Sequence, residues 1–172
     1  GYNKMVSLEE SVSSAWAQVE NVYQRRADLI PNLVETVKGY AQHEQETLTR
    51  VIEARSQATS MKVDPANLTP DAIRQFQEAQ QGLSSALSRL MVVVEQYPDL
   101  KANQNFLDLQ AQLEGTENRI TVERMKFNET TQAYNAFIRR FPELITAKIL
   151  SFDKKPSFAA PQGSEKAPQV RL

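Results

Sequence analysis

Gln24-Arg25-Arg26-Ala27-Asp28-Leu29-Ile30-Pro31-Asn32-Leu33-Val34-Glu35-Thr36-Val37-Lys38-Gly39-Tyr40 is the stretch on which the fold turns. Apolar side chains at helical spacing run into it and out of it, and Pro31 sits in the middle. Either one very long helix passes through the proline, or the proline opens a second helix. In a helix interior proline removes a hydrogen bond and clashes with the preceding turn, a cost of about 3 kcal/mol or more. At the first position of a helix its missing N–H has no partner to lose. Asp28 suits a cap or turn, and Glu35 suits the positive end of a new helix. We therefore expect a break near residues 27–30. The competing reading is one helix over residues 5–59, roughly 80 Å long at 1.5 Å per residue.

Upstream, Met5, Leu8, Val12, Ala15, Trp16, Val19, Val22 and Tyr23 recur in steps of three and four. That spacing places them on one helical face. Downstream, a second helix over 29–59 carries Leu33, Val37, Tyr40, Leu48, Val51 and Ile52, with Gly39 inside it. Glycine there suggests a close helix–helix approach. A loop around Asp64-Pro65 follows, and Thr69-Pro70-Asp71 then opens a third helix as cap, first-position proline and first-turn acid. Its face holds Ile73, Phe76, Leu83, Leu87, Leu90, Met91 and Val94. Pro98 disfavours helical geometry at Tyr97 and ends it. A fourth helix is expected over 98–140, its apolar face interrupted at Glu117, Arg124 and Thr131. Phe141-Pro142 bends or ends that helix, and a short helix is expected within 144–152. Four amphipathic helices with short links imply an all-α, antiparallel up-and-down four-helix bundle over residues 1–152. Residues 153–172 read as a flexible tail with too little apolar surface to fold alone.

Composition narrows the function classes. The 172 residues include no cysteine, which excludes disulfides and thiolate chemistry, and a formal net charge of −1 gives no footprint for nucleic acid. Leu, Ala, Gln and Glu abound and only five glycines occur, a balance that favours helix. No apolar run approaches the roughly 18 residues of a membrane span. The chain opens at Gly1-Tyr2-Asn3 without an initiator methionine, and we expect a missing signal or anchor before it.

The chain also resembles the LemA family of bacterial proteins. The resemblance rests on Tyr2-Asn3 with Ala15-Trp16, the block from Arg25 to Val34, and Val37-Lys38-Gly39-Tyr40 with His43-Glu44. Further along it rests on Ala54-Arg55, on Tyr97-Pro98-Asp99-Leu100-Lys101-Ala102-Asn103 with Asn105-Phe106, and on Glu117-Asn118-Arg119-Ile120. Tyr134-Asn135, Ile138-Arg139 and Phe141-Pro142 complete it. It implies a protein of the cytoplasmic (inner) membrane with a single N-terminal transmembrane helix just upstream of Tyr2. It also implies a four-helix bundle with no established enzymatic activity, and candidate envelope partners in a membrane metalloprotease or a TPM-domain protein. Where many family members carry Ala-Gly-Met-Phe-Gly-Phe, this chain has Ala147-Lys148-Ile149-Leu150-Ser151-Phe152.

Candidate sites are few. His43-Glu44 lacks the second histidine a zinc protease needs, since the chain has one histidine. Carboxylate pairs such as Glu9-Glu10 sit at helix starts, and no Glu-x-x-His pair for a diiron bundle occurs. We expect no metal and no cofactor. Arg26, Glu117 and Arg124 fall where core residues belong. Either they are paired, Arg124 with an acid across the bundle and Glu117 with an Arg or Asn, or they edge the core and reach water. With a break at 27–30, the turns of helices one–two and three–four would share an end. Arg25, Arg26, Asp28 and Asn32 would then neighbour Lys101, Asn103 and Asn105. That tip, with two helix N-termini, is a candidate site for an anion or acidic peptide, and the competing reading is that these residues cap helices and lock turns. The expected function is a membrane-tethered, non-catalytic interaction scaffold of the cell envelope. The alternative is an enzyme or small-ligand module with its polar site at the tip. Ranked last is action on lipid through residues 152–158 with Lys154 and Lys155.

Overall fold

In the computed structural model, which describes residues 2–140 and 143–159 (backbone alone at 143), helix α1 (Tyr2–Lys38) runs unbroken through Pro31. The expected break at 27–30 does not occur, and the reason is local. Proline has no N–H, so the carbonyl of Ala27, four residues back, loses its partner within α1. Helix α2 (Gln45–Ser60) supplies another, because Arg55 Nε donates to Ala27 O at 2.8 Å. Apolar residues on both sides of the proline, Ala27, Ile30, Leu33 and Val34, are buried on one face while Pro31 is exposed. Packing therefore holds the two halves of α1 in line.

The chain turns instead at residues 39–44. Tyr40 and Ala41 both donate their amides to Val37 O. Gly39 is not the site of a close helix approach, since a Cβ there would meet only backbone of α1 itself, Thr36 O at 3.5 Å and Glu35 O at 3.9 Å. A single 3-10 turn, Pro65–Asn67, precedes α3 (Pro70–Val94). Thr69 caps α3 as its sequence suggests, its Oγ1 accepting from the Ala72 amide at 3.1 Å. The expected helix over 98–140 is split into α4 (Pro98–Lys101) and α5 (Gln104–Ile138). Asn103 is the cause: its backbone is extended, and its Oδ1 caps α5 by accepting from the Phe106 amide at 3.0 Å. A short α6 (Glu143–Ile149) follows.

All regular structure among the described residues is helical. Helices α1 and α5 run in opposite directions. Thr36 meets Asn105 and Arg26 meets Glu117, so positions ascend along α1 as they descend along α5. Ala27 meets Arg55 between α1 and α2, and Ala58 meets Gln80 between α2 and α3. The core forms two apolar clusters. One, around Leu33, Val37, Leu83, Leu87 and Phe106, lies towards the 39–44 turn. The other, around Trp16, Phe76, Phe127, Tyr134 and Ile138, lies towards Tyr2.

The expected flexible tail is docked as far as Ala159. It does not fold alone, but it does not need to. Phe158 is buried between the rings of Trp16, at 5.7 Å, and Phe127, at 5.5 Å. Asn135 donates to Lys155 O at 2.7 Å and accepts from the Lys155 amide at 2.6 Å, while Asn128 accepts from the Phe158 amide at 2.8 Å. Side chains of α5 thus satisfy the backbone groups that an extended segment would otherwise leave unpaired. The bend expected at Phe141-Pro142, and the expected tail beyond residue 159, lie outside the described residues.

Candidate functional site

Between the two apolar clusters lies a polar layer. Arg26, on the buried face of α1, is 1% exposed. Its Nη1 donates to Glu117 Oε1 at 2.9 Å and Ser84 Oγ at 2.7 Å, and its Nη2 donates to Gln80 O at 2.9 Å and Gln80 Oε1 at 3.1 Å. One guanidinium therefore ties α1 to α3 and α5. The fork geometry of arginine permits this, whereas lysine's single ammonium could not serve four acceptors in these directions. Of the two readings of Glu117, pairing with an arginine is the one seen, although its side chain keeps 23% exposure. The Tyr23 ring lies 5.3 Å from the Arg26 guanidinium carbon. Burial raises the Tyr23 phenol above its ordinary value, and the neighbouring cations Arg124 and Arg26 offset that only in part.

Arg124 departs from expectation. Instead of an acid across the bundle it meets rings, its guanidinium carbon 4.7 Å over Phe158 with Tyr23 alongside. The docked segment that supplies Phe158 was read from the sequence as tail. Gln80 and Ser84 were also missed, although their signal was present: both interrupt the apolar spacing of Phe76, Leu83 and Leu87 on α3.

The proposed tip residues divide into two groups. Arg25 and Asp28 are exposed along the middle of α1, where Asp28 accepts from Gln24 Nε2 at 2.8 Å, and Asn32 is exposed a turn beyond. Arg26 is inside the polar layer, about 18 Å of helix short of Lys38. They do not join Lys101, Asn103 and Asn105, because α1 continues past them. The end of the molecule does bring together the 39–44 turn and residues 97–105, with different partners on the α1 side. Asn103 Nδ2 donates to Tyr40 Oη at 2.9 Å and Asn105 Nδ2 to Thr36 Oγ1 at 2.8 Å. Tyr97 Oη donates to Glu44 at 2.9 Å, which raises the Tyr97 phenol, and Lys101 Nζ pairs with Glu95 at 2.6 Å. His43 is exposed in that turn. Tyr40, assigned to a core face in sequence, is 43% exposed and works here as a polar latch.

Beside the polar layer a half-open groove of about 250 Å³ is lined by Glu20, Tyr23, Gln24, Lys62 and Gln80 among others. Burial raises the Glu20 carboxyl above its ordinary value, against the nearby Trp16 indole and the charge of Lys62, both of which lower it. Among the described residues no group of three or more His, Cys, Asp or Glu converges as metal ligands would. No helix among them is long and apolar enough to cross a membrane.

The sequence model of the LemA family matches residues 15–172, a span that includes the whole polar layer and the turn end. The chain belongs to the LemA family. This LemA chain is 26% identical to the magnetosome protein MamQ of Magnetospirillum gryphiswaldense, over 91% of the chain and 64% of that protein. It is 25% identical, with the same coverage, to the magnetosome protein MamQ 1 of Paramagnetospirillum magneticum. To the protein LemA of Metamycoplasma hominis it is 23% identical, over 81% of the chain and 60% of that protein. The LemA chain thus spans less than two thirds of the length of each of these relatives. None of their names carries an enzymatic activity.

Proposed function

We propose that this LemA-family protein is a membrane-tethered, non-catalytic interaction scaffold of the bacterial cell envelope. In this reading it is an up-and-down four-helix bundle, carried at the cytoplasmic membrane by a single transmembrane segment preceding Tyr2. The observation that carries the reading is the Arg26 layer. Arg26, the most deeply buried charge among the described residues, is committed to Glu117, Gln80 and Ser84, and so holds three helices in register. A charge held by four acceptors is poorly placed to turn over a substrate, and well placed to keep a presenting surface rigid. Its partners are envelope proteins, with a membrane metalloprotease or a TPM-domain protein as candidates. In-cell crosslinking of the full-length protein is the test. Discrete crosslinked species containing an envelope protein are expected. Turnover of a substrate by the purified protein, or crosslinking no different from an unrelated anchored bundle, would overturn the reading.

A second reading is favoured by the turn end. The N-termini of α2, α4 and α5 converge there beside Lys101, Asn103 and Asn105, an arrangement suited to an anion or an acidic peptide. Charge reversal at Lys101, with Arg25 reversed separately, decides it. If partner binding and melting temperature are both unchanged by Lys101→Glu, the turn end is a latch and nothing more.

A further inference from the structure

Helix α6 is turned inside out. At 100° per residue Leu144, Ile145, Lys148 and Ile149 share one face, and that face looks outward. Leu144 is 37% exposed, Ile145 48% and Ile149 74%, with Leu150 at 44% just beyond, while the small Ala147 packs inward at 2%. Single exposed aliphatic side chains are ordinary, but a contiguous set on one short helix is not. Rotation cannot bury them, because the segment is fixed at its C-terminal end. The Phe152 amide donates to Ala147 O at 2.8 Å around Ser151, and the Phe152 ring meets Tyr2 edge-on at 6.1 Å. Immediately after, Asn135 grips the backbone of Lys155.

We propose that this end of the molecule docks on an anionic lipid surface, with α6 lying in the plane of the interface. Lys148 selects this occupant over a second copy of the chain. Around the helix it stands between Leu144 and Ile145, so a two-fold contact would bury it near its own copy, whereas at a bilayer its stem lies along the acyl boundary and its ammonium reaches the headgroups. Lys4, Arg139, Arg140 and Lys154 are exposed at the same end, against Glu10 and Asp153, and Lys155 is taken by Glu9 at 3.4 Å. Tyr2, 54% exposed at the rim, has the apolar body and polar tip that suit the interface. The contact does not use Phe158, which is inside the core. It belongs to the folded residues and is separate from the tether proposed above.

The 172-residue chain should float with vesicles of phosphatidylglycerol and phosphatidylcholine at least tenfold more strongly than with phosphatidylcholine alone. Ile145→Asp with Ile149→Asp should reduce that binding tenfold or more, while Val92→Asp, at an exposed apolar site on α3, leaves it unchanged. An environment-sensitive fluorophore on Ile149→Cys should shift to the blue on anionic vesicles, and it decides the matter if the double variant melts early. Flotation retained by a folded double variant, or no flotation and no shift with the parent chain, overturns the proposal. So does a parent dimer that the double variant converts to monomer, which would assign the face to a second copy.

Discussion

At Arg26 the competition is between desolvation and pairing. A guanidinium that is 1% exposed has lost its water, and the 2.9 Å bond to Glu117 with three further acceptors replaces it. Removing one member leaves the other charge uncompensated. Glu117→Ala should therefore cost about 2–4 kcal/mol, somewhat under the range for a fully buried pair because the Glu117 side chain keeps 23% exposure. Replacing both, as Arg26→Met with Glu117→Leu, removes the desolvation cost along with the attraction and should cost less than the single change. Urea denaturation of the two variants checks this, and a double variant weaker than Glu117→Ala would contradict it. Glu20 makes the opposite case, a charge without adequate compensation. Its carboxyl is raised by burial, so the folded state holds the proton more tightly than the unfolded one. Stability from this group is present below the ordinary carboxylate range and is lost as pH rises through the raised value. Glu20→Gln should consequently raise the urea midpoint at about pH 7 and leave it unchanged at about pH 3, where Glu20 is protonated in both states.

At the scale of the element, Pro31 and Arg55 form one unit. Arg55→Met leaves the Ala27 carbonyl without its 2.8 Å partner and should cost about 1–3 kcal/mol. In a Pro31→Ala background the amide of residue 31 can reach that carbonyl, so the same change should cost less. A double-mutant cycle measures the coupling, and equal costs in both backgrounds would sink the idea. This pair also explains why the sequence misled about α1. The amphipathic spacing across the proline was legible, and so was the cost of an interior proline. The donor that offsets it sits 28 positions away on another helix, and no local pattern announces it. Asn103 was legible as a polar residue but not as a cap, because the apolar spacing after Pro98 continues through it. That Glu117 interrupts the Leu113–Ile120 face was readable, and it left Glu117 either paired with an Arg or Asn or edging the core. That its partner is Arg26 depended on where α1 ends. Ser151 belongs to this scale too. Its φ of 62° is a left-handed conformation at the end of α6, and it stands where the family pattern has glycine. Ser151→Gly should stabilise by roughly 0.5–1 kcal/mol, read as a higher melting temperature, because glycine adopts that conformation without a Cβ penalty.

Across the whole molecule, the polar layer divides the core while the two ends of the described fold are closed differently. At the 39–44 turn, closure is by hydrogen bonds that pair Tyr40 with Asn103, Glu44 with Tyr97 and Thr36 with Asn105. At the other end, closure is by a strap: residues 153–159 cross from α5 to α3, where Gln77 Nε2 donates to Ala159 O at 3.2 Å. The strap's anchor is Phe158, which completes the aromatic cluster of Trp16, Phe76 and Phe127. If the segment were a free tail, Phe158→Ala would change nothing. As a core residue that also carries Arg124 against its ring, it should cost about 3–5 kcal/mol on truncation. Trp16 is the chain's one tryptophan, so the same variant carries its own reporter. Loss of the ring stacked on it should admit water and shift its emission to the red in the folded state. Asn135→Ala should loosen the same strap by unpairing two backbone groups of Lys155. Because both substitutions release one unit, their combined cost should fall short of the sum of the separate costs. Full additivity would mean that Phe158 and Asn135 act independently and that the segment is not a strap.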